Sequence, residues 1–166
     1  MTIVLVLVLA LLIGVVAGLR ALTPPAMVAW GGALGWIDLD GTWAQWVAHP
    51  LTVTVLTILL VVELVTDQLP STPARTVAVQ FSARLLTAGF AGAVLVTGAL
   101  ATVKTGTVVS GIGAGVIGAV LGTMGGYRAR KALVERNGGK DLPIALIEDA
   151  VAVLGGFAVV ALATLI

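Results

Sequence analysis

Residues 51–70 read LTVTVLTILLVVELVTDQLP, an apolar run whose only charged members are Glu63 and Asp67. A spacing of four places both carboxylates on one face of a helix, about one turn apart. A charge at the centre of a bilayer costs about 2.5–3.5 kcal/mol on insertion scales, and such residues usually face a bundle interior or a water-filled path. The stretch therefore predicts a membrane helix and points to these two acids as candidates for function.

The composition of the whole chain agrees with a membrane protein. Of its 166 residues, 59% are hydrophobic and 10% are charged, and the mean hydropathy is +1.14. Soluble domains carry about 25% charged residues, so most of this protein's exterior must face lipid. The net charge of +1 excludes a basic surface for nucleic acid. The absence of cysteine excludes disulfides, thiolate metal sites and cysteine nucleophiles, and we expect no cofactor.

Six apolar stretches predict an all-α, polytopic bundle that forms a single transmembrane domain over residues 1–166. The stretches are Ile3–Leu19, Leu22–Ile37, Leu51–Thr66, Leu85–Val103, Thr107–Gly126 and Ala150–Ile166. A spanning helix needs roughly 20 residues, with a lower limit near 17. The second stretch is shorter and has Pro24 and Pro25 near its start, so it either crosses as a short helix or re-enters. We favour six crossings over five.

The positive charges orient this bundle. The segment 127–141, YRARKALVERNGGKD, is rich in arginine and lysine, and the positive-inside rule places it in the cytoplasm. Six crossings put Arg75 and Arg20 on the same side and leave both termini outside. The apolar N-terminus lacks a basic n-region, so we interpret it as a retained helix rather than a signal peptide. We expect a multi-pass protein of the bacterial cytoplasmic membrane.

On this topology, charged side chains gather at the cytoplasmic ends of several helices. The predicted ion or solute ligands are Glu63, Asp67, Glu148 and Asp149, with Arg20 and Arg84 as counter-charges. We expect Glu63, the most deeply embedded, to pair with Arg84 or Arg20, or to carry a proton. In the alternative interpretation, Glu148 and Asp149 complement a helix dipole near a helix N-terminus, and Asp67 is a loop residue.

Glycine spacing predicts close helix packing. The fifth stretch has Gly111, Gly115, Gly118, Gly122 and Gly126 every three or four residues. Such a bare face lets another helix approach, either within the bundle or across a homo-oligomer interface. Residues 18–21 (GLRA) resemble 126–129 (GYRA), and residues 87–100 resemble 154–166. These likenesses suggest duplicated parallel hairpins, a repeat type found in transporters, although short apolar segments also match by chance.

Aromatic and basic residues mark the two interfaces of the predicted bundle. All four tryptophans, Trp30, Trp36, Trp43 and Trp46, lie around the first external loop. They predict an interfacial belt, with an aromatic substrate platform as the alternative. Arg128, Arg130 and Lys131 lie beside the fifth stretch, where basic clusters bind anionic lipid headgroups or simply fix orientation.

Several of these residues carry a family resemblance. GLRALTPP before an apolar span, then VELVTDQLP, then an arginine-containing span rich in Ala and Gly, resembles a family of small bacterial membrane proteins catalogued as domain of unknown function 4126. The resemblance covers most of the chain. It implies a helical membrane protein and brings no established activity.

Two functions remain open. The charged cluster suits a small transporter or channel, with the carboxylates as cation or proton ligands and the arginines as counter-charges. The same cluster suits a non-catalytic scaffold or accessory subunit whose ion pairs fix helix register and which binds anionic lipid or a second copy. We expect no enzyme and no metal site, because His49 is the single histidine and is isolated beside Pro50.

Overall fold

A computed structural model describes residues 3–68 and 77–165 of this protein. Within these residues the regular structure is entirely helical, as predicted. The α-helices are α1 Ile3–Leu19, α2 Thr23–Ala33, α3 Pro50–Thr66, α4 Ala78–Ala99, α5 Thr105–Arg136 and α6 Leu142–Leu162, with short 3-10 helices at Gln45–Ala48 and Ala163–Leu165. Arg75, expected on the cytoplasmic side, lies outside the described residues.

Three helices are longer than the apolar stretches that predicted them. Helix α4 begins seven residues before Leu85, and α5 continues ten residues beyond Gly126. Helix α6 begins eight residues before Ala150, because Pro143 fits the first turn of a helix, where amides lack intrahelical partners. Glu148 and Asp149 therefore lie about two turns inside α6, and the interpretation that placed them at a helix N-terminus is wrong.

The second stretch forms a short helix followed by irregular chain. Helix α2 has 11 residues, about 16 Å at 1.5 Å per residue. It ends at Ala33, and the turn that follows places Gly35 at a φ of 70°, which favours glycine, while the Trp36 N–H donates to the Gly31 carbonyl at 2.8 Å. The chain continues until the Asp38 N–H bonds the Gly98 carbonyl at the far end of α4, at 2.8 Å. The stretch thus runs from one end of the bundle to the other, and whether it crosses the membrane stays a prediction.

Burial explains how this short helix is stable. Residues 23–29 are all buried, and α2 contacts α1, α3, α4 and α6. Irregular backbone at membrane depth is tolerated only where protein or water satisfies it. The core around α2 is apolar and includes Ile13, Met27 and Leu95, each at most 1% exposed.

The bundle has two chemically distinct ends. At the end that we call the charged end, α1 and α3 finish and α2, α4 and α6 begin, and the sequence-predicted acids and arginines meet there. At the end that we call the tryptophan end, residues 34–49 pack over the far ends of α2 and α4. Helices α1 and α5 run in one direction and α4 and α6 in the other, which is the arrangement that parallel repeated hairpins require. The duplication itself stays a prediction.

The glycine face of α5 that contains Gly111, Gly115, Gly118 and Gly122 packs inside the bundle. A Cβ at Gly118 would lie 2.0 Å from the Leu11 carbonyl oxygen of α1, and one at Gly115 would lie 2.3 Å from the Ala88 carbonyl of α4. Backbones this close leave no room for a side chain. The glycine face is therefore occupied by α1 and α4 of the same chain, and the homo-oligomer stays a prediction.

The outer surface fits a lipid environment. Helices α4, α5 and α6 (with its 3-10 extension) are long and apolar enough to cross a membrane, while α1 and α3 are shorter apolar helices. At 17 residues each, α1 and α3 reach about 26 Å, close to the hydrocarbon thickness of about 30 Å. Large apolar side chains such as Ile58, Val65 and Leu154 are exposed by more than half. The protein is a helical membrane protein.

Candidate functional site

Arg20 is the centre of the charged end. It follows α1 directly and is fully buried. Its Nε donates to Oδ1 of Asp149 at 2.5 Å, and its Nη1 donates to Oδ2 of Asp67 at 2.9 Å. Its Nη2 lies 3.8 Å from Oε2 of Glu148. One guanidinium thus joins the ends of α1, α3 and α6, which places three of the predicted ligands around a predicted counter-charge.

Glu63 contacts backbone amides. Its Oε1 accepts the Ala21 N–H at 2.6 Å and its Oε2 accepts the Leu22 N–H at 2.8 Å. These amides lie at the start of α2, where no side chain of α2 itself forms a cap. A carboxylate at a helix N-terminus satisfies unpaired donors and complements the helix dipole. Among the described residues no arginine forms an ion pair with Glu63, and this cap on a neighbouring helix takes the place of the predicted pair with Arg84 or Arg20.

Asp67 takes the arginine contacts that were expected of Glu63. Besides its bond with Arg20, its Oδ2 lies 3.9 Å from Nη2 of Arg84, whose side chain is 2% exposed. Asp67 is also the C-cap residue of α3. Glu63 and Asp67 therefore share one face of the helix, as the spacing of four predicts, but bind different chemical groups. Describing Asp67 as a plain loop residue misses these two contacts.

Arg130 pairs with two carboxylates at the charged end. Its Nε and Nη2 donate to the two oxygens of Asp141 at 2.9 and 2.7 Å, a bidentate geometry. Its Nη1 donates to Oε2 of Glu148 at 3.1 Å. The guanidinium of Arg130 is thus engaged by two carboxylates, and its lipid role stays a prediction. Arg128 and Lys131 are exposed, and their lipid role stays a prediction.

Sequence analysis missed two members of this site. Gln68 donates from Nε2 to Oδ2 of Asp149 at 3.1 Å, and Asp141 forms the bidentate pair with Arg130. Gln68 directly follows Asp67, which was the available signal. Asp141 lies across the α5–α6 turn from Arg130, and no helical spacing links them.

The charged network, as we name it, comprises Arg20, Glu63, Asp67, Gln68, Arg84, Arg130, Asp141, Glu148 and Asp149. It joins α1, α3, α4, α5 and α6 and holds the start of α2. Paired carboxylates and arginines at this density either fix helix ends or exchange partners with a proton or small ion. Within residues 3–68 and 77–165, no group of three or more His, Cys, Asp or Glu side chains could hold a metal ion.

An open cleft of about 890 Å³ lies at the tryptophan end. It is formed by the loop after α2, the end of α4 and the start of α5, and its polar lining includes Asp38, Asp40 and Lys104. Trp43 borders it, and its indole N–H donates to Oγ1 of Thr97 at 3.0 Å. The sequence predicts an external loop around the tryptophans but gives no sign of a cleft.

The other tryptophans also pack on the bundle. The Trp30 indole N–H donates to Thr57 Oγ1 at 3.0 Å, and the Trp36 ring meets Phe157 edge to face at 6.1 Å. Trp46 and Trp43 are about half exposed, which is the exposure expected of residues in an interfacial belt. The interfacial belt and the aromatic substrate platform both stay predictions. Trp43 is the tryptophan that borders the cleft and could form such a platform.

Comparison with known proteins gives one match. The model of a family described as a domain of unknown function, DUF4126, matches residues 7–166. Neither the curated proteins nor the solved structures contain a match to this chain.

Proposed function

We propose that this chain, which belongs to the DUF4126 family, is a small multi-pass transporter or channel for a small ion or solute. The charged network would act as its gate at one end of the bundle. The proposal includes a bacterial cytoplasmic membrane as its location, with the charged end in the cytoplasm, and no enzymatic activity.

One observation carries this proposal: the two ends of the bundle differ in their access to solvent. At the tryptophan end, the cleft of about 890 Å³ is open. At the charged end, Arg20 is fully buried and Asp67, Glu148 and Asp149 surround it. A molecule open at one end and closed by ion pairs at the other has the form expected of one state of a gated carrier.

The residues have distinct roles in this proposal. Glu63 holds the start of α2 through two backbone amides, so loss of its negative charge would release the short central helix. Asp67 and Asp149 hold Arg20, and opening requires these pairs to separate. Short, interrupted helices recur at the binding sites of secondary transporters, which supports a moving role for α2.

The test is flux through purified protein in liposomes, measured for protons and potassium ions. We expect wild-type flux above that of empty vesicles, a reduction of about tenfold or more in Glu63→Gln, and no change in Glu135→Gln, which alters an exposed acid in the same way. Asp149→Asn provides a second variant, and size-exclusion chromatography selects folded protein. The gating role of the charged network would be refuted if wild-type vesicles show no flux above empty vesicles, or if Glu63→Gln vesicles show the same flux as the wild type.

A scaffold or accessory subunit is the second candidate, and the buried core favours it. Ile13, Met27, Val94 and Leu95 fill the bundle between its ends, each at most 1% exposed. A charged network that only fixes the helix ends needs no path for an ion or solute through the bundle. This candidate predicts tight vesicles for every folded variant, together with partner or self-association, so cross-linking in membranes separates it from a transporter.

A further inference from the structure

The cleft at the tryptophan end has the dimensions of a ligand site. Its volume of about 890 Å³ lies within the range of about 300–1,000 Å³ found for small-molecule pockets. It combines charged side chains with apolar walls from Leu100 and Val108. A few polar groups placed on an apolar wall are the usual composition of such sites.

The cleft contains opposite charges that do not pair with each other. Asp38, Asp40 and Lys104 all line it, yet among the described residues no ion pair joins Lys104 to either acid. Asp38 accepts the Asp40 N–H at 3.1 Å, which uses one of its oxygens. Separated opposite charges in one cleft match a ligand that itself has separated opposite charges.

Trp43 supplies an aromatic wall in a fixed position. Its indole N–H is held by Thr97, whose hydroxyl in turn donates to the Ala93 carbonyl at 2.8 Å. Half of the side chain is nevertheless exposed. Aromatic rings attract cationic groups, most strongly the tryptophan indole, so this wall and the two acids favour an ammonium group, while Lys104 favours an anionic one.

We infer that this cleft binds a zwitterion with an ammonium group and a phosphate or carboxylate group, either a free solute or a phospholipid headgroup. Asp38, Asp40 and Trp43 bind the ammonium group, and Lys104 binds the anionic group. As the solute site of a transporter, this inference rests on the proposed function; as a binding site, it stands without transport.

The first experiment titrates phosphoethanolamine into the purified full-length protein in maltoside micelles and measures heat. We expect saturable binding, at least tenfold tighter than that of ethanolamine or inorganic phosphate alone. Lys104→Gln and the double variant Asp38→Asn/Asp40→Asn each weaken binding about tenfold or more. The matched controls, Lys140→Gln and Glu135→Gln, remove exposed charges elsewhere and leave binding unchanged.

The second experiment separates the two sources of the ligand. Native mass spectrometry of the same protein with added phosphatidylethanolamine or phosphatidylglycerol measures lipid retention, again with Lys104→Gln. Retention of phosphatidylethanolamine without binding of phosphoethanolamine identifies a lipid headgroup, and the reverse identifies a free solute. Binding of neither, equal binding of ethanolamine alone, or insensitivity to all cleft variants overturns the inference.

The outcomes also separate this inference from the proposed function. If zwitterion binding depends on Asp38, Asp40 and Lys104 but the vesicles stay tight, the binding site is supported and the proposed transport is contradicted. Flux that is sensitive to Glu63→Gln but unaffected by the cleft variants supports transport and contradicts the cleft as its solute site, which leaves the binding experiments to decide whether the cleft binds a zwitterion.

Discussion

Replacing Glu63 by glutamine tests the central contact of the charged network. The carboxylate accepts one backbone N–H on each oxygen, from Ala21 at 2.6 Å and Leu22 at 2.8 Å. Glutamine keeps one acceptor and turns an NH2 group toward the other amide, so one donor at the start of α2 loses its partner. A buried donor without a partner costs about 1–3 kcal/mol. Loss of a negative charge at a helix N-terminus adds about 0.3–1 kcal/mol.

The variant should therefore be about 1.3–4 kcal/mol less stable than the wild type. Unfolding in mixed micelles by added dodecyl sulfate, followed by helicity, measures this difference. Hydrogen exchange at residues 21–22 localises it, because every 1.4 kcal/mol of lost protection speeds exchange about tenfold. Glu135→Gln, at an exposed site, should change stability by less than about 0.5 kcal/mol. Equal stability of Glu63→Gln and wild type, with unchanged exchange, would refute the capping role.

Three further results are expected. Gly118→Ala should destabilise the protein by about 1–3 kcal/mol in the same unfolding assay, because its Cβ would overlap an α1 carbonyl oxygen. The control Gly113→Ala places its Cβ in open space and should be neutral or stabilising. Equal effects of the two substitutions would contradict the packing of α5 on α1. Arg20→Gln should cost about 3–5 kcal/mol, since it leaves buried carboxylates without their counter-charge, and a cost under about 1 kcal/mol would argue against a closed network. Arg128→Gln with Lys131→Gln should lower retention of phosphatidylglycerol in native mass spectrometry without a change in unfolding, and unaltered retention would remove the lipid role.

Much of the fold follows from local chemistry that a sequence displays. The apolar stretches predicted six helices, and three were extended because polar residues such as Arg84 and Glu148 lie inside helices with their side chains paired. The shortness of the second stretch was also visible. The sequence does not show where the helix stops before Gly35 or how the irregular chain after it is buried. Both depend on the contact of this chain with Gly98 at the end of α4.

Sequence reasoning named six members of the charged network, but it missed Gln68 and Asp141 and did not predict the backbone partners of Glu63. Spacing placed Glu63 and Asp67 on one face, and topology brought Arg20 and Asp149 to the same end. It did not distinguish a carboxylate that caps a helix from one that pairs with arginine, because both are acids on one face. Nor did it find the pairing of Arg130 with Asp141, since a basic residue beside a span can contact a carboxylate or a lipid headgroup.

The sequence by itself determined that this is a helical membrane protein and which glycines allow close contact, because helical periodicity and hydropathy are local properties. Only the tertiary structure decided that Arg20 bonds Asp149, 129 positions away, and that Glu63 holds the start of α2. It also decided that Asp38 and Lys104 share a cleft. The physical reason is that a hydrogen bond needs its donor and acceptor within about 3 Å, and such distances depend on how whole helices pack.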